Sequence, residues 1–152
     1  APPDGPPGAV APLSVPLVAC DGGEHACVKL KPETSDIVGL WRAYFHHPVL
    51  QPVDGLAYVR FHPDGRYNLS ATAEQSVDAA APWPSGTFRL EDGVLTFEAA
   101  GGMVIDACVT ARYEVSLYYF GDHPVALSHR LIEDACPGRA IDNSSPMVWV
   151  AD

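Results

Sequence analysis

Residues 56–73 read LAYVRFHPDGRYNLSATA, and this stretch decides the fold class. Leu56–His62 and Arg66–Ala73 each alternate apolar and polar positions with a period of two, as half-buried strands do. Between them lies Pro63-Asp64-Gly65. Asp-Gly supplies the positive backbone angles a tight hairpin needs, so the segment predicts two antiparallel strands joined by a short turn.

The same grammar repeats outward in both directions. Ile37–Phe45 (IVGLWRAYF) precedes the hairpin and is stopped by His46-His47-Pro48. Gly86–Leu90, the turn Glu91-Asp92-Gly93 and Val94–Ala99 form a second Asp-Gly hairpin. Met103–Asp106 follows the Gly101-Gly102 break. Ala111–Phe120 then pairs with Val125–Glu133 across Gly121-Asp122-His123-Pro124, and Met147–Val150 closes the series. Eight to nine short strands in sequential hairpins, with no amphipathic helical run, predict an all-β, antiparallel up-and-down barrel, because closing the sheet removes its unpaired edges.

The rest of the chain divides by composition. Residues 1–19 hold six of the 15 prolines and are expected to be a flexible arm, since proline removes backbone donors and cannot sit inside a sheet. Residues 20–36 read as a disulfide loop and lead-in, in which Ser35 or Asp36 can cap a short helical turn, and 37–152 as the barrel. The start at Ala1 suits a chain from which a signal peptide has been removed.

Four cysteines, Cys20, Cys27, Cys108 and Cys136, stand at intervals of 7, 81 and 28 positions, which fits no zinc-binding pattern. An even count in a small chain points to an oxidising compartment, so the protein is expected to be secreted or periplasmic. Three pairings are possible. A two-residue loop at Asp122-His123 would bring Cys108 opposite Pro137, one position from Cys136; this favours Cys108–Cys136 and, with it, the local pair Cys20–Cys27.

The formal charge of −10 disfavours nucleic acid as a partner, and no apolar run is long enough for a membrane helix. There is no nucleophile elbow, no metalloprotease helix motif and no phosphate-cradling loop, so no cofactor is implied. Six histidines sit mostly at turns, and neighbouring His46 and His47 would point to opposite faces of a strand, so no metal is expected. Asn68-Leu69-Ser70 and Asn143-Ser144-Ser145 match the glycosylation sequon.

Gly39-Leu40-Trp41 on the first barrel strand, with Phe61-His62-Pro63-Asp64-Gly65-Arg66-Tyr67 (F-x-x-D-G-x-Y), resembles the calycin superfamily, and bacterial lipocalin-like secreted domains in particular. So does Gly86–Leu90 followed by Asp92–Leu95. The likeness covers about residues 37–150. It implies that Trp41 packs across the closed end of the barrel, that Arg139 or Arg130 lies over it, and that the cup binds a small apolar molecule.

Alternation supplies a lining of its own. Tyr113, Val115, Leu117 and Tyr119 share one strand face, and Val125, Leu127, His129 and Leu131 the facing one. Candidate ligand contacts are therefore Trp41, Tyr67, Phe88, Tyr113, Tyr119 and His129: aromatics for contact area, hydroxyls and the imidazole for orientation. Three functions remain open. The leading one is a secreted barrel binding a hydrophobic or aromatic ligand. The others are an isomerase or cyclase that shapes an apolar substrate, and a filled-core interaction or inhibitor module. Catalytic residues and oligomeric state are not legible.

Overall fold

Nine antiparallel strands hold half of the residues described by the computed structural model, which are 18–21, 23–45, 47, 49–50, 54–136 and 138–152. Most of the proline-rich arm, His46 and Pro137 lie outside them. The strands are β1 (Ala26–Lys29), β2 (Gly39–Tyr44), β3 (Leu56–Phe61), β4 (Arg66–Ser70), β5 (Ser85–Glu91), β6 (Val94–Gly101), β7 (Thr110–Phe120), β8 (His123–Asp134) and β9 (Met147–Ala151). Two one-turn helices join them, α1 (Thr34–Ile37) and α2 (Arg139–Asp142).

Strands β2 to β9 pair in sequence order, and β9 returns to β2, closing an eight-stranded up-and-down barrel. β1 is the extra strand. β7 is 11 residues long, and β6 uses only its first part, Thr110–Glu114. β1 takes the remainder of that edge, pairing Ala26 with Phe120 and Lys29 with Leu117. Val18 and Ala19 run alongside β1, with Val28 N donating to Val18 O at 2.8 Å. The exposed edge of the longest hairpin is thus covered rather than left as a template for pairing.

Differences from the sequence reading have local causes. Met103–Asp106 is not a strand: Gly102 turns the chain with φ +80° and lays it over the Trp83 carbonyl, and Asp106–Cys108 forms a 3-10 turn. Glu33, not Ser35 or Asp36, occupies the N-cap of α1, and Asp36 reaches back to the Glu33 N–H. The β7–β8 turn is Gly121-Asp122, one residue earlier than expected, and two bulges then shift the register until Ala111 faces Asp134. One bulge expels Val125, which is 44% exposed instead of lining the interior.

Both disulfides form, Cys20–Cys27 with Cα atoms 4.8 Å apart and Cys108–Cys136 at 4.4 Å. No described cysteine is free. Two closed disulfides belong to an oxidising environment. Among the described residues no helix is long and apolar enough to cross a membrane.

The connections sort by end. Tight turns join β3–β4, β5–β6 and β7–β8 at one end, where α1 also lies. Long connections join β2–β3, β4–β5, β6–β7 and β8–β9 at the other. The tight-turn end is packed solid. Trp41 is fully buried there, and its indole N–H donates to Ile37 O on α1 at 2.9 Å. The ring over it belongs to Trp149, edge-on at 5.2 Å, and not to an arginine. Arg130 pairs with Glu114 on the outer surface, and Arg139 sits at the opposite end. Trp149 is the cross-strand neighbour of Trp41, and it fills the place expected for a guanidinium. Gly39 makes room for it: a Cβ there would stand 2.7 Å from the Trp149 ring.

Candidate functional site

The middle of the barrel is filled by aromatic rings. Phe61 meets Phe88 at 4.9 Å and Phe97 at 6.1 Å, and Tyr67 meets Phe97 edge-on at 5.0 Å. Above this layer, toward the long connections, the interior opens into a cavity of about 680 Å3. That volume lies within the range of small-molecule pockets, and the lining is predominantly apolar. Val59, Tyr67, Phe97 and Met147 belong to the core cluster and form its floor. Leu69 and Ala99 line its wall, and Phe45, Leu50, Met103 and Ile105 come from the connecting loops.

The four loops at this end are fastened to one another. Imidazole Nδ1 of His47 accepts the backbone N–H groups of Val49 and Leu50, both at 3.0 Å. Its Nε2 therefore carries the proton and donates to Met103 O at 2.9 Å, linking the β2–β3 and β6–β7 loops. Met103 N donates to Pro82 O at 2.8 Å, and Phe45 packs on Trp83 at 5.4 Å, which brings in the β4–β5 loop. The Cys108–Cys136 disulfide adds the β8–β9 segment.

Beside that disulfide lies a buried ion pair. Arg139 Nε and Nη2 donate to the two oxygens of Asp134 at 2.6 and 2.8 Å. Nη1 donates to Cys108 O at 2.9 Å, and Nη2 also to Thr110 O at 3.3 Å. The Tyr113 hydroxyl and Cys136 N donate to the same carboxylate. Burial pushes the Asp134 carboxyl up, but the hydrogen bonds from Arg139, Tyr113 and Cys136 N outweigh it and hold it below the usual range. Burial also raises the Tyr113 phenol.

The residues named from the sequence are distributed as follows. Tyr67 lines the cavity. Trp41 and Phe88 are buried in the solid part of the core. Tyr119 packs against the core near the tight-turn end, and burial raises its phenol to about 12. Tyr113 and His129 meet edge to face at 5.6 Å. Neither lines the cavity, nor does Tyr119, so these three do not share one chamber. His129 is half-buried as a residue, yet both ring nitrogens are sealed from solvent with no hydrogen-bond partner. Burial depresses its pKa to about 4. Both sequon asparagines are buried in the folded chain: Asn68 is 2% exposed and donates to Ser76 O at 2.9 Å, and Asn143 is 8% exposed.

The sequence reading did not name most of the lining. His47 and Leu50 are loop residues without strand periodicity, and Met103 and Ile105 fall in a segment expected to be a strand that is a loop instead. A signal was nonetheless present: the tight turns alternate with long connections, which places all the long ones at a single end. No described group of three His, Cys, Asp or Glu side chains is arranged to hold a metal ion. The only nucleophile-grade hydroxyl on the floor is that of Tyr67, with no base hydrogen-bonded to it among the described residues. The arrangement is suited to holding a molecule. No family model, curated protein or solved structure matches the chain.

Proposed function

We propose that this protein is a secreted or periplasmic binding barrel of calycin type that holds a small hydrophobic ligand. One observation carries the reading: a closed barrel packed solid at one end and hollow at the other, with a cavity of about 680 Å3 lined mainly by apolar side chains. A core serving stability alone gains nothing from such a void, since unfilled volume forfeits packing energy. The loop end has the cross-links that keep a hollow mouth from collapsing, and the disulfides suit an extracytoplasmic carrier.

The test is binding of 1-aminoanthracene, a neutral dye that brightens in apolar surroundings. Wild type is expected to bind it with one site. Leu69→Trp, which places an indole in the cavity from its wall, is expected to abolish binding while leaving the melting temperature within a few degrees. Absence of dye binding by wild type, or equal binding by both proteins, would overturn the reading.

A further inference from the structure

The cavity's uncommitted hydrogen-bonding groups define its occupant more narrowly, and this step rests on the cavity being a ligand site. Three lining side chains are both polar and buried: Tyr67, Asp142 and Asn143. Asn143 faces the Tyr113 hydroxyl, and Asp142 is engaged. Tyr67 is 5% exposed, and its hydroxyl bonds no described residue. On the same lining, His47 has both nitrogens committed to backbone. Arg139 has four of its five N–H donors committed, leaving one on Nη1.

Two donors on the lining stand free for a ligand, the Tyr67 O–H and one Arg139 N–H. A donor pair selects an acceptor. It does not select an anion, because the guanidinium charge is already matched by Asp134, whose side chain is fully buried against it. A carboxylate brought into the cavity would lose its hydration and meet no unpaired positive charge, which is costly. A carbonyl or hydroxyl oxygen costs far less to desolvate and satisfies the same donors.

We propose that the occupant is a neutral, largely apolar molecule bearing one acceptor oxygen, a ketone, ester or alcohol, seated with that oxygen at the Tyr67 hydroxyl. Burial raises the Tyr67 phenol to about 12, so it stays a donor across the working pH range. Its position on the floor places the ligand's polar end inward and its hydrocarbon body toward the loop-lined mouth.

Displacement of 1-aminoanthracene by three probes of equal chain length, 2-dodecanone, 1-dodecanol and dodecanoate, tests this at pH 7.5. The ketone and the alcohol are expected to compete at least ~10-fold better than the carboxylate, and Tyr67→Phe is expected to weaken the ketone ~10-fold while retaining the dye. Dodecanoate competing as well as the ketone, or Tyr67→Phe leaving the ketone unchanged, overturns the proposal and leaves the binding barrel standing. A wild-type protein that binds no dye removes both. The wild-type comparison holds even if the variant fails to fold.

Discussion

Arg139 grips both carboxylate oxygens of Asp134, at 2.6 and 2.8 Å, directly beside the disulfide that joins Cys108 to Cys136. The guanidinium also reaches the Cys108 and Thr110 carbonyls, so one side chain ties the end of β8 to the start of β7. Arg139→Met should therefore destabilise by about 3–5 kcal/mol, since it strands a buried carboxylate. Asp134 has a depressed pKa in the folded protein, so its contribution is present above the unfolded value of about 3.9 and is lost as pH falls through the folded one. Urea titrations of both proteins between pH 3 and 7 check this. The loss should be large at pH 7 and shrink at pH 3.

The Cys108–Cys136 bridge spans 28 positions and the Cys20–Cys27 bridge spans 7. Chain entropy assigns about 3–4 kcal/mol to the longer loop and about 2–3 to the shorter. Cys27 lies in β1, 5% exposed, so the short bridge also anchors the strand that covers the β7 edge. Replacing Cys108 and Cys136 with Ser should lower the melting temperature more than replacing Cys20 and Cys27. Only the first replacement should weaken dye binding, because only that bridge borders the cavity.

The closed end depends on two tryptophans and one glycine. Trp41→Ala removes a fully buried indole and should cost about 3–5 kcal/mol. Gly39→Ala meets both a φ of +139° and the Trp149 ring, and should destabilise measurably in the same urea assay. Neither residue touches the cavity, so both variants should retain dye binding at temperatures where they are folded.

The barrel was legible because each strand carries its own period and each tight turn its own chemistry. Gly65 and Gly93 do adopt positive φ, at +88° and +77°, as Asp-Gly turns require. β1 was not legible, for its four residues have too short a pattern and their partner lies some ninety positions away. The guanidinium expected over Trp41 was an inference from family likeness; only the β2–β9 register reveals that Trp149 occupies the spot. Alternation finds side chains that fill the barrel's middle, such as Phe88, and cannot see where filling stops. The hollow begins at the strand ends, and its walls are finished by loops whose sequences have no period to read.

His129 offers the sharpest test of the interior. Its ring faces inward beside Val115, edge-on to Tyr113 at 5.6 Å, with neither nitrogen hydrogen-bonded. Burial depresses its pKa to about 4, against about 6.5 in an unfolded chain. Between those values the unfolded state holds the extra proton, so stability rises with pH there and is lost progressively as pH falls from about 6.5 through about 4. His129→Phe keeps the ring's shape and removes the titration. At pH 7.5 it should be neutral or stabilising, because two unsatisfied buried nitrogens become carbon. The stability difference between variant and wild type, from urea unfolding, should then widen steadily from pH 6.5 to pH 4. A constant difference across that range would mean that His129 finds a partner or solvent in solution, and the sealed interior around Tyr113 would have to be redrawn.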